Sequence, residues 1–321
     1  MPISMDNLDV KGITIDGQVV MEVTVDGVLV WKGKNIYSSS WETVRKIDPG
    51  GNEIWSFTGH SDRVYGVAVD SNGNVYSGSW DETVRKIDSN GNEIWSFTDH
   101  TDEVTDVAVD SNGNVYSSSW DWSVRKIDSD GNEVWSFDGH WDTVHGVAVD
   151  SNGNVYSASY DDRVRKIDSN GERVWSFTGH SGNVHSVAVD SNGNVYSGSA
   201  DDTVRKIDSN GDEVWSFDGH SGTVYGVAVD SDGNVYSGSW DDTVRKIDSD
   251  GDQVWSFTGH SGTVYSVAVD SDGNVYSASW DDTVRKIDSD GNEVWSFTGH
   301  SSYVLGVAVD PGLYGAGFWD E

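Results

Sequence analysis

The chain has 321 residues, no Cys, and 20 Lys+Arg against 54 Asp+Glu, a formal net charge of −34. That balance repels polyanions, so nucleic acid and anionic membranes are excluded as partners, and the missing Cys excludes disulfides and thiolate metal sites. No apolar run approaches the roughly 18 residues of a membrane span, and the opening MPISMDNLDV lacks the basic-then-apolar pattern of a secretory signal, so a virion or cytoplasmic setting is expected.

The first 33 residues carry no repeat. Ile13-Thr-Ile-Asp-Gly-Gln18 and Val23-Thr-Val-Asp-Gly-Val28 each place Asp-Gly between β-branched runs, a strong hairpin signal. They predict a small three-stranded meander over 12–31, an extension too small to stand alone. It loosely resembles short β-modules of phage tails and other virion proteins.

From Gly59 to Thr98 the chain reads GHSDRVYGVAVDSNGNVYSGSWDETVRKIDSNGNEIWSFT, and this unit returns every 40 residues, with its His at 60, 100, 140, 180, 220, 260 and 300. A period of this size marks a repeat architecture. Each unit predicts four strands: Val64–Val69, Asn74–Ser79, Thr83–Ile87 and Glu93–Thr98, separated by Asp-Ser-Asn-Gly and Asp-Glu turns. Four antiparallel strands per unit form one blade of a β-propeller. First strands begin near residues 64, 104, 144, 184, 224, 264 and 304, and the remaining three-strand sets begin at Asn35, Asn74, Asn114, Asn154, Asn194, Asn234 and Asn274. The expectation is an all-β, seven-bladed propeller over 34–310, its ring closed by N- and C-terminal segments sharing one blade. Residues 311–321 form a tail in which Leu313–Asp320 is a second candidate for the strand that 35–41 would supply. The segment 35–41 is preferred because it is already hairpinned to its neighbour.

Gly59-His60, the run VAVDSNGN, Ser77-Gly-Ser-Trp-Asp81 and Thr83-Val-Arg85 resemble the WD-repeat family. The resemblance implies a hydrogen-bonded set of His60, Ser77 and Asp81, with His140, Ser157 and Asp161 as the copy two units on. The family's fourth member is a Trp, and Ile87 stands in its place, so the set is at most a triad. The run Lys86–Trp95 resembles the turn-then-Trp signature of quinoprotein propellers, one residue shorter, and implies that Trp95 and its copies pack between blades. Only that packing Trp is present, so no quinone cofactor is expected.

His, Ser and Asp recurring at one spacing read as a buried network rather than a hydrolase site, since a nucleophile is needed once. The Asp70-Ser-Asn-Gly and Asp88-Ser-Asn-Gly loops lack the ligand spacing of a calcium loop and read as turns. No enzyme activity, metal or cofactor is expected.

Differences among the copies gather after the His (Ser61-Asp-Arg63, Thr101-Asp-Glu103, Trp141-Asp-Thr143, Ser181-Gly-Asn183), two residues into the first strand (Tyr65, Thr105, His145, His185, Tyr225, Tyr265) and before the turn Asp (Trp80, Trp120, Tyr160, Ala200, Trp240, Trp280). In a propeller these positions share one face around the channel. Aromatic side chains there suit a protein or glycan partner, while drift after repeat duplication would also produce them. A monomeric, non-enzymatic binding scaffold is expected, with a glycan-binding module or an amplified or designed propeller without a ligand as alternatives. The charge adds a choice between a protein suited to high salt, as in a halophile or its virus, and a soluble repeat protein with acidic turns.

Overall fold

The computed structural model describes residues 34–310 in full and, before them, the backbone of three short strands. The described residues form 31 strands, β1 to β31, and no helix. β1 (Leu8–Lys11), β2 (Glu22–Val25) and β3 (Val28–Trp31) make a three-stranded antiparallel sheet in that order. β2 and β3 pair as an antiparallel hairpin, Val25 opposite Val28; the Asp-Gly between them lies outside the described residues. The first strand lies at Leu8-Asp-Val-Lys11, earlier than the expected 12–31, where apolar and polar residues alternate; the hairpin expected over 13–18 lies outside the described residues.

The other 28 strands form seven four-stranded antiparallel sheets arranged as a propeller. Blade one runs from β7 (Val64–Val69) to β10 (Glu93–Phe97), and blades two to six repeat it every 40 residues, to β30 (Glu293–Phe297). The closing blade joins β31 (Val304–Val309) to β4 (Ile36–Ser40), β5 (Thr43–Ile47) and β6 (Glu53–Phe57). Val304 pairs with Ser40 and Val309 with Ile36, and the Asp310 N–H reaches the Asn35 carbonyl at 2.9 Å. The strand place contested by 313–320 is therefore taken by β4; the tail itself lies outside the described residues.

The core is distributed between blades. Tyr76, Val84 and Phe97 of blade one pack against Val104, Val107, Val115 and Ile127 of blade two, and six similar clusters complete the ring. Each fully buried aliphatic or aromatic side chain contributes about 2 kcal/mol by area removed from water. Ile87 is fully buried, so the residue that replaces the family Trp serves as core. The second strand is buried along its whole length, which explains its small residues: a Cβ on Gly78 would lie 2.7 Å from Val104 Cγ1.

Trp95 on the fourth strand reaches the next blade. Its indole N–H donates to the Ser129 carbonyl at 3.1 Å, and its ring covers Gly131, whose φ of +93° requires glycine there. Trp295 makes the same bond across the ring seam to Pro49. The expected role of this Trp as packing between blades is thus met.

Candidate functional site

Each regular blade buries a His–Ser–Asp set. In blade one, His60 Nδ1 donates to Asp81 Oδ2 at 2.9 Å, and Ser77 Oγ donates to His60 Nε2 at 2.8 Å. The ionised Asp fixes this tautomer, leaving Nε2 as the acceptor. Asp81 also accepts from the Ser61 N–H at 3.0 Å and the Thr83 hydroxyl at 2.6 Å. Burial pushes the Asp81 carboxyl up, but these bonds, led by His60, outweigh it and hold the group well below the usual carboxylate range. In blade three His140 bonds Asp161 at 3.1 Å and Ser157 at 2.7 Å. Ser77 and Ser157 are wholly buried, so no substrate can reach these hydroxyls. The set ties the loop before the first strand to the following hairpin.

Two blades depart from the rule. In the closing blade Ser38 Oγ meets His300 Nε2 at 2.8 Å, but the turn Asp is missing and His300 Nδ1 has no partner among the described residues. Burial keeps this imidazole neutral, its pKa pushed down to about 3. In blade three Arg163 replaces the Thr83 equivalent and Arg173 the Glu93 equivalent. Arg85 of blade one pairs with Glu93 at 2.7 Å; Arg165, without that partner, turns inward and is buried against Asp161 and His140.

The acidic turns are satisfied internally. Asp70 Oδ1 accepts from the Asn72 and Asn74 N–H groups at 2.9 Å each, and Oδ2 from Asn74 Nδ2 at 2.8 Å and Tyr76 Oη at 3.1 Å. These are Asx turns closed by Gly73 at φ +78°.

The varying positions do share a face: the Trp80 N–H donates to the Arg63 carbonyl at 2.8 Å, joining the two loops that carry them. Trp141 and Trp240 are 67% and 57% exposed, and Trp120 is also exposed. Trp80 and Trp280 are half-buried, with indole nitrogens that have no partner among the described residues. Trp80 and Trp120 lie 6.1 Å apart between ring centres, Trp240 and Trp280 6.4 Å, and Trp280 stacks on Tyr303 at 5.1 Å. These contacts make two aromatic groups, Trp80–Trp120 and Trp240–Trp280–Tyr303, with Tyr160 and Ala200 between them in the ring.

Tyr65, Tyr225 and Tyr265 turn further inward. The ladder skips a register between Val64 and Gly66, and this bulge aims residue 65 and its equivalents into the channel. Tyr225 stacks on Tyr265 at 4.8 Å, Tyr65 on Trp80 at 5.1 Å, and Tyr160 on His145 at 5.3 Å. His145 Nδ1 donates to the His185 carbonyl at 2.9 Å, so its Nε2 accepts from Tyr265 Oη at 3.0 Å. Burial pushes the His145 pKa down to about 4. Tyr65, His145, His185, Tyr225 and Tyr265 line a channel cavity of about 170 Å³ together with Asp106. Asp106 Oδ1 accepts from the Val107 N–H at 2.8 Å and Oδ2 from the Val147 N–H of the next blade at 3.1 Å. Burial first of all pushes its pKa up to about 7, against these two bonds.

Several residues of this face escaped the sequence reading. Trp41 is the Trp80 equivalent displaced by a one-residue deletion, and Trp122 sits where other turns carry Glu82 or Asp162. Tyr303 and Asp106 are likewise single-copy departures, and scanning each repeat column for its odd member would have found them.

The architecture and the blade-by-blade polar network define a WD-repeat type of β-propeller. A family model described as WD domain, G-beta repeat matches residues 51–88 and 91–128, and one described as outer membrane protein assembly factor BamB matches 121–225 and 200–314. The second spans more than half of the chain, which therefore belongs to this family of WD-repeat and quinoprotein-like β-propellers. No curated protein matches it. WD-repeat propellers are typically non-enzymatic scaffolds that bind proteins, and the fold of this chain fits that role.

Proposed function

We propose that the chain is a non-enzymatic scaffold whose aromatic face binds a protein partner, with 34–310 as the working body, 1–33 as an extension and 311–321 as a tail. The observation that carries this reading is the concentration of exposed Trp120, Trp122, Trp141 and Trp240 on the face where the copies differ most. Aromatic side chains supply contact area at small entropic cost and are enriched among binding hot spots. Two of the face's Trp residues also sit at positive φ, Trp41 at +37° and Trp122 at +69°. A bulky residue there costs about 1 kcal/mol or more, a strain that a display position would justify.

Protein and glycan arrays probed with the wild type and a Trp120/Trp141/Trp240→Ala variant test the proposal. A protein signal lost in the variant is expected. A signal confined to glycans would favour a lectin, and identical behaviour of the two chains would refute a role for the face. The charge of −34 favours a saline setting, such as a halophile or its virus, where screening relieves self-repulsion. A melting temperature that stays flat between low and molar NaCl would remove that reading.

A further inference from the structure

The aromatic face already holds cations of its own. The Arg63 guanidinium lies between Trp41 and Trp80, 4.7 and 4.8 Å from the two ring centres. Arg163 lies 4.4 Å over Trp141. Fourteen of the 20 basic residues are the Arg-Lys pairs of the repeat, and the only others within 35–310 are Arg63, Arg163 and Arg173. Two of these three single-copy arginines are therefore seated on Trp rings of one face.

Elsewhere on the face the rings and carboxylates are present without such an arginine. The Trp120 N–H donates to the Glu103 carbonyl at 2.9 Å, with Glu82 and Asp102 alongside. Glu103 is pushed up by its hydrogen bond with Asp102, then by burial and by the nearby Asp102 and Glu82 charges, so negative charge is crowded there and an added cation would relieve it. Across the channel, Trp240 and Trp280 lie 6.4 Å apart between ring centres, each followed in the chain by an Asp-Asp turn, Asp241-Asp242 and Asp281-Asp282. A cation over an indole gains attraction from the ring and from any carboxylate at its edge, and the net charge of −34 draws a basic partner from a distance.

We infer that the face takes a basic polypeptide segment, whose Arg or Lys side chains seat on the exposed rings of Trp120 and Trp240 as Arg63 seats between Trp41 and Trp80. The inference rests on the protein-binding reading above and adds the chemistry of the partner. A neutral glycan forms no ion pair with the carboxylates and gains nothing from the net charge, and an acidic peptide is repelled.

Titration of the full chain with oligoarginine, oligolysine and oligoglutamate of equal length, followed by indole fluorescence and calorimetry, tests it. Oligoarginine is expected to bind saturably and to perturb the indole signal, oligolysine to bind more weakly because it cannot stack, and oligoglutamate not to bind. A Trp120→Ala/Trp240→Ala variant keeps the net charge and is expected to lose about tenfold in oligoarginine affinity. Asp130→Asn/Asp250→Asn/Asp290→Asn removes charge from the opposite face, at turn positions where the repeat already accepts Asn90, Asn170 and Asn210, and is expected to bind as the wild type does. Equal affinity of the Trp variant and the wild type would reduce the binding to bulk charge and overturn the inference, as would absence of binding. An acidic or neutral protein captured on the arrays in a Trp-dependent way would overturn the basic partner while leaving the binding face standing.

Discussion

His60 and Asp81 meet at 2.9 Å inside blade one, and that contact decides which imidazole nitrogen remains to accept from Ser77. Replacing the carboxylate strands a buried imidazole and two donors. Asp81→Ala is therefore expected to cost about 3 kcal/mol at pH 7 in urea denaturation. The Asp81 pKa is depressed in the folded state, so its contribution is full above the ordinary carboxylate value of about 4 and is lost as pH falls below it. The gap between wild type and variant should narrow in acid; a pH-independent gap would contradict the ionic role.

The closing blade offers the converse experiment. Its turn reads Trp41-Glu42-Thr43 where blade one reads Trp80-Asp81-Glu82-Thr83, and His300 Nδ1 is left without a partner among the described residues. Inserting Asp between Trp41 and Glu42 restores the missing acceptor and should stabilise the ring by about 1–2 kcal/mol. Unchanged or lowered stability would show that the shortened turn is needed as it stands.

Asp106 is the channel's odd residue, standing where blades four and six have Ser186 and Ser266 bonding the Val227 and Val307 N–H groups at 3.2 and 3.3 Å. Its pKa is raised in the folded state, so the folded protein holds a proton that the unfolded chain releases, and stability is lost as pH rises from about 4 towards 7. Thermal unfolding of Asp106→Ser against wild type should favour the variant increasingly over that range and level off above it. A constant difference would place the carboxylate in a solvated, ordinary environment.

Trp95 and Gly131 test the joint between blades. Trp95→Phe keeps the ring and removes the bond to Ser129, at an expected cost of about 1 kcal/mol. Gly131→Ala puts a Cβ 3.1 Å from that ring at φ +93°, at an expected cost of about 2 kcal/mol. Equal effects in chemical denaturation would mean that the turn, rather than its contact with Trp95, governs the joint.

The blades, their number and the closing strand were legible because each rests on local periodicity: alternation within strands, Gly at positive φ in turns, and a 40-residue period that leaves one first strand without its own set. The His60 network was legible as a recurring polar trio in an apolar context. The channel cluster was not, because it depends on the bulge between Val64 and Gly66, which no residue preference announces. Nor was the inward turn of Arg165, which follows from losing Glu and Thr partners in two separate columns of the repeat. Trp41 and Trp122 were hidden for a simpler reason, since both lie out of register with the column in which aromatic residues were sought.

The pairing of β31 with β4 has a mechanical consequence. The strands run antiparallel with Asp310 beside Asn35, so both chain exits leave from the same end of the seam. Tension applied through those exits loads the hydrogen-bonded pairs in succession, like a zip opened from its slider, instead of sharing the load among them in shear. Under traction the ring is therefore weakest at its own clasp, and β31 would peel away before any other blade feels the pull.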